Sequence, residues 1–218
     1  AQTDAELVAA AGADEHLVVS DEGQGTRAQT WHFPSRAECM VCHSRAAGFV
    51  LGLNTLQMNR AVDFHGEPVN QLAHLAARGV LNRYKPASVP ARPRLVDPAD
   101  DSAPLEARAR SYLHSNCAQC HVEAGGGNSA FSINVATPLQ RMALLNEPPR
   151  HDRFGLTGAQ LIAPGSPEAS ILLHRLTKLG RGRMPPLSSS VVDRDAAQLI
   201  GEWIRDLAPV EAPEPAHD

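Results

Sequence analysis

Large flat side chains are scarce in this chain: Phe, Trp and Tyr together make up 4% of its 218 residues. A bulky apolar cofactor would occupy the volume that aromatics usually fill. An ordinary helical protein rich in Ala and Leu fits the scarcity nearly as well, so the observation decides little. Spare cysteine is missing altogether. All four cysteines lie in two pentads, Cys39-Met40-Val41-Cys42-His43 and Cys117-Ala118-Gln119-Cys120-His121, whereas a disulfide framework would scatter them over loops. A basic excess is missing as well. The formal net charge is -4, which leaves no broad positive field for phosphate backbones, and nucleic acid is not an expected partner. No stretch nears the roughly 18 consecutive apolar residues of a membrane-spanning helix. The opening Ala1-Gln2-Thr3-Asp4 lacks the basic and apolar regions of a signal peptide and reads as a mature or excised chain.

What is present divides unevenly. Ala5 to Ala11 suggests a short helix, and His16-Leu17-Val18-Val19 and Ala28-Gln29-Thr30-Trp31 flank a turn-rich stretch, the pattern of a hairpin. Pro34 bars a regular helix running into the first pentad. Apolar residues at helical spacing follow over 46–60 and 69–81. Residues 85–104 hold Pro86, Pro90, Pro93, Pro98 and Pro104 and read as a linker or wrapped segment. A helix from Leu105 then leads into the second pentad, with Asp101 or Ser102 as caps. Further helices are expected over 169–179 and 196–207, and the Pro-rich acidic tail from Pro209 is expected to fray. The expected division is 1–84, a linker at 85–104, 105–208, and a tail at 209–218.

Two thiols three residues apart reach the two vinyl groups on one edge of a porphyrin, and the adjacent imidazole lies under the iron. The spacing therefore points to two covalent haems, on Cys39, Cys42 and His43 and on Cys117, Cys120 and His121. Zinc and thiol redox chemistry are the competing uses. Zinc ribbons space their cysteine pairs far more closely, and a thioredoxin-like motif expects a βαβ unit that is not visible here. Met184, in Gly182-Arg183-Met184-Pro185-Pro186-Leu187, is the candidate sixth ligand of the second haem. A thioether next to two stiffening prolines is aimed rather than free to fill a gap. For the first haem the candidates are Met58, ranked first, then His74, His65 and His32, with an open position as a further possibility. His174 is a rival to Met184 that better suits a helix face, His114 reads as a surface or haem-edge residue, and Arg181 and Arg183 are candidate partners for propionates. The run Gly125-Gly126-Gly127 has no following Lys-Ser or Lys-Thr and is not read as a phosphate loop.

Residues 103–208 resemble a class I monohaem cytochrome c domain: a helix entering the pentad, a Met-Pro loop and a closing helix around Trp203. In that family the first and last helices cross at a small and a large residue eight and four positions before the first Cys. Ala109 and Leu113 stand there, Leu113 replacing the more usual aromatic. The first half has a pentad but no Met-Pro loop, and the chain as a whole resembles bacterial dihaem cytochrome modules. The resemblance implies a mainly α fold of two cytochrome c-like haem domains with a short β-hairpin near the N-terminus. It implies single-electron transfer between a redox donor and acceptor, a dehydrogenase among them, in the periplasm or outside the cell. The rival expectation is a dihaem peroxidase with an open first haem.

Overall fold

Strands are where the sequence pattern is least helical. The computed structural model describes residues 3–21, 25–82, 85, 88–89 and 91–208. The acidic tail and part of the linker lie outside the described residues. Strands β1 (Ala13–Asp21) and β2 (Gly25–Phe33) pair antiparallel from Ala13 opposite Phe33 to Asp21 opposite Gly25. The hairpin is longer at both ends than the sequence pattern suggested. Residues 5–9 before it are not helical.

Pro34 does not keep helix away from the first pentad. Ser35 begins helix α1 (Arg36–Cys42) in a reciprocal capping box with Glu38, satisfying two of the donors that a helix N-terminus leaves unpaired. Pro34 sits one residue before that cap, where no helical hydrogen bond is needed. Helix α2 (Thr55–Met58) and helix α3 (Gln71–Ala77) are capped by Asn54 and Asn70, and a second hairpin, β3 (Ala61–Phe64) with β4 (Glu67–Asn70), separates them. Among the described residues of this half, Met58, Leu72 and Val89 form the buried cluster, with Ala73, Leu75 and Leu81 against it.

The second half is built differently. Helix α4 (Leu105–Cys117) packs on helix α6 (Arg194–Asp206), and helix α5 (Ile171–Thr177) packs on α6 from another side. Asp193 caps α6 through the Ala196 N–H at 2.9 Å. Ala109, Leu113, Ile200, Trp203 and Ile204 are each at most 1% exposed at the crossing. At roughly 1.5–3 kcal/mol for each large side chain taken out of water, this crossing dominates the stability of that half. Between α4 and α5 the chain is irregular, held by isolated parallel bridges from Leu145 to Ile162 and from Gln160 to Ser170.

The segment before α4 is a strap rather than a loose tether. Asn59 donates to the Arg92 carbonyl at 2.8 Å, and the Leu95 N–H reaches Leu56 O at 3.1 Å. On the far side the Val96 N–H bonds buried Ser111 Oγ at 3.1 Å, and Arg108 donates to Pro98 O at 2.8 Å. Its backbone groups are thus spent on α2 and α4 instead of on a sheet or helix.

The expected fold class, mainly α with two cytochrome c-like haem domains, is overturned. Among the described residues helix covers 29% and strand 15%, with six α-helices and two small sheets. The physical reason lies in the first half, where stretches read as helical by apolar spacing shrink to four and seven residues. The Phe64–Glu67 turn, with His65 at φ 56 and Gly66 at φ 89, makes a hairpin of what lies between. No helix among the described residues is long and apolar enough to cross a membrane.

Candidate functional site

Cys117, His121 and Met184 line one cavity of about 520 Å³, within the roughly 300–1,000 Å³ range of cofactor sites. Cys117 ends α4, and His121 sits one turn further on, its N–H bonded to Cys117 O at 2.9 Å. Apolar side chains, among them Leu113, Ile133, Leu144, Leu161 and Leu172, make most of the wall; Glu147, Arg150, Asp152 and Arg175 make the charged part. The cavity opens to solvent beside Met184, which is 36% exposed. Its donor set is one thiol, Cys117, beside the His121 imidazole, with the Met184 thioether on the wall, a set that fits haem; the second thiol of the pentad, Cys120, is not part of the wall and turns its Sγ to Cys42 instead.

Both pentad histidines commit the same nitrogen. His121 Nδ1 bonds Ser129 Oγ at 2.9 Å, and His43 Nδ1 bonds the Phe49 carbonyl at 2.6 Å. Each ring is thereby oriented with Nε2 left for a metal, the second-shell arrangement expected of a ligating histidine. Phe49 adopts φ 63 where it turns its carbonyl to His43, a strained conformation of the kind held at functional sites. His121 also stacks on Phe131, ring centroids 4.6 Å apart. Burial, and then the Arg175 charge, push the His121 pKa down, favouring the neutral imidazole that binds metals.

The two pentads meet. Cys42 Sγ and Cys120 Sγ lie 2.9 Å apart, and Cys120 Sγ is 3.7 Å from the Val41 carbonyl oxygen. Gly126 makes this approach possible, because a Cβ there would overlap Val41 O; a Cβ on neighbouring Gly127 would stand 2.7 Å from His121 Nδ1. The glycine run therefore serves backbone contact with both pentads.

Burial pushes the Cys117 thiol up to about 12, and burial together with Cys42 pushes Cys120 up to about 12. Thiol exchange needs a thiolate with a lowered pKa, so the redox-thiol alternative loses ground. No group of three or more His, Cys, Asp or Glu side chains that could hold a metal ion is found among the described residues.

Among the described residues, the helix that carries the first pentad has no buried side chain. His43 is exposed, and Met40, Phe49, Val50 and Leu53 are apolar and 51–72% exposed. Met58 is 8% exposed in the small cluster with Leu72. His74 stacks on Phe64 at 4.3 Å, and His65 occupies the β3–β4 turn. His32 has both ring nitrogens engaged, with Asp14 at 2.6 Å and Glu38 at 3.1 Å.

In the second half, His174 packs against Phe154 and is not part of the cavity wall. His114 is buried instead of lying at the surface, accepting the Val135 N–H at 3.3 Å, and burial pushes its pKa down. Arg183 is occupied within its own loop, donating to Ser189 Oγ at 3.0 Å. Arg175 and Arg150 occupy the wall where Arg181 and Arg183 were expected. Nothing in the local pattern of α5 marks Arg175 in advance. Comparison with family models, curated proteins and solved structures finds no match for this chain.

Proposed function

We propose that this chain is a dihaem c-type cytochrome that passes single electrons through two covalently attached haems. The observation that carries the reading is the convergence of Cys117, His121 and Met184 on one apolar cavity. The pentad spacing marks Cys117 and His121 in the sequence, and the adjacent Pro185-Pro186 marks Met184. Haem supplies a one-electron iron couple, and a thioether opposite imidazole raises its potential. The protein's own part is to hold His121 through Ser129 and His43 through Phe49, to exclude water with aliphatic walls in the second half, and to hold the pentads side by side. That adjacency favours a relay over two independent sites.

Cys39, Cys42 and His43 hold the first haem in this reading, which covers the exposed apolar apron of Phe49, Val50 and Leu53. The partners are a redox donor and acceptor, with a dehydrogenase as one of them. Covalent haem attachment puts the chain on the outer side of a bacterial energised membrane, in the periplasm or secreted.

A dihaem peroxidase is the second reading, favoured by one observation: Met58 is taken up in a core and His43 stands exposed. The oxidised optical spectrum with cyanide or peroxide separates the two. Two low-spin haems inert to both ligands support the relay. A high-spin band with rapid peroxide turnover replaces it with the peroxidase.

A further inference from the structure

We propose that Arg175 is the positioning residue that keeps the Met184 thioether at the second haem site, by clamping the Gly182–Met184 segment from α5. The inference rests on the cytochrome reading above and adds to it a residue whose role spacing does not reveal.

Arg175 holds that segment at two points. Its main-chain carbonyl accepts the Met184 N–H at 3.0 Å, and its guanidinium donates from Nη1 to the Gly182 carbonyl at 3.1 Å. The guanidinium in turn is fixed by Phe154, lying 4.7 Å from the ring centroid, a cation–π distance. Gly182 closes the unit: its φ is +89, and a Cβ there would come within 2.9 Å of the Phe154 ring. Arg175, Phe154 and Gly182 thus form one packed cluster, and Arg175 lines the same cavity as His121 and Met184.

Met184 is 36% exposed, far above the core residues. The neighbouring ties, Arg183 to Gly180 and to Ser189 and the Ser189 hydroxyl to the Pro185 carbonyl, stay within the loop, whereas the Arg175 bonds join it to α5. A thioether is a weak, neutral ligand, so its occupancy depends on how often the loop presents it. The main-chain bond at Met184 alone leaves Gly182 free to swing, while the Nη1 bond to the Gly182 carbonyl, from a guanidinium seated on Phe154, removes that freedom. Lysine has the charge but not the planar group that donates to Gly182 while lying over the ring.

The test uses the haem-loaded protein as Arg175→Gln, Arg175→Lys, Met184→Ala and the double variant Arg175→Gln/Met184→Ala, beside wild type. Intact mass counts the haems, the red-edge absorption band of the oxidised protein reports thioether ligation, and cyanide titration reports how readily the ligand yields. Arg175→Gln is expected to weaken the band and to tighten cyanide binding at the second haem about tenfold, equivalent to about 1.4 kcal/mol. Arg175→Lys falls between it and wild type. On the Met184→Ala background the Arg175 change is expected to add almost nothing, since the ligand it positions is gone; a merely structural role would add its full effect there.

Unchanged cyanide affinity and an intact band in Arg175→Gln overturn the proposal. If that variant fails to fold, the same result in Arg175→Lys does so. A wild type with two haems but no thioether band overturns Met184 as ligand and the clamp with it, and a wild type carrying fewer than two haems overturns the cytochrome reading itself.

Discussion

The two halves carry the same five-residue motif in unlike surroundings. In the second half, ten buried side chains form a core and the pentad opens into a cavity. In the first, three buried side chains form the core, and the pentad sits on a capped seven-residue helix at the surface. In the proposed dihaem cytochrome, thioethers would retain a porphyrin whatever the core around it, so the first half could expose its haem while the second enclosed its own. Enclosure favours a fixed sixth ligand, and exposure favours contact with a partner.

The contrast breaks most sharply where the halves touch. Gly126→Ala places a methyl group on the Val41 carbonyl, and the pentads must separate. Electron exchange between the haems is expected to slow by at least about tenfold for each 1.4 kcal/mol added to its barrier, with haem content unchanged by mass. Flash-photolysis kinetics check this, and an unaltered exchange rate would show that the contact is not the electron path.

Next come the cores. Trp203→Ala is expected to cost about 3–5 kcal/mol and Leu72→Ala about 2–5 kcal/mol, at the lower end because its cluster is small and can collapse. Urea titration followed at each haem checks the comparison. Trp203→Ala should shift the second haem's transition far more than the first's, and equal shifts at both would show one shared core. Met58→Leu conserves volume and is expected to cost less than about 1.5 kcal/mol. Its spectrum is expected to match wild type, because Met58 packs with Leu72; a changed spectrum at the first haem would make Met58 a ligand.

The smallest effect is a pH dependence confined to the first half. His32 has its pKa raised by Asp14 and then Glu38, while Glu38 is held at about 2 by the Ser35 N–H, the Ser35 hydroxyl and then His32. The His32 contribution is complete below its ordinary 6.5 and fades as pH rises through its raised value. The Glu38 contribution is complete above its ordinary 4.5 and fades as pH falls toward about 2. Hydrogen-exchange protection at the β2–α1 junction, the observed rate divided into the intrinsic rate at each pH, is therefore expected to be greatest between pH 4.5 and 6.5. Glu38→Gln should flatten that profile, and both groups are exposed, so the effect is small.

Much of the second half was legible because its signals are local. The helix before Cys117, the Met-Pro loop and the closing helix each occupy a short stretch of sequence, although the expected cap at Asp101 or Ser102 is not used: Pro104 stands at the N-cap with no side-chain cap bond. The first half hid its form for equally physical reasons. Ser35-Arg36-Ala37-Glu38 is a readable capping box, but Pro34 drew the weight as a breaker when it stands just outside the cap. The β3–β4 hairpin turns on His65-Gly66, a weaker signal than Asn-Gly, and its strands are only four residues long. The meeting of the pentads, the buried position of His114 and the clamp by Arg175 are long-range facts. No local periodicity encodes the Arg175 bond to a carbonyl seven residues on, the His114 bond 21 residues away or the thiol contact 78 residues away.

Intact-mass measurement of the purified protein tests the central claim most directly. The account predicts a mass exceeding the polypeptide by two haems, falling by one when Cys117 and Cys120 are both replaced by serine and by the other when Cys39 and Cys42 are. A mass equal to the bare chain would contradict it.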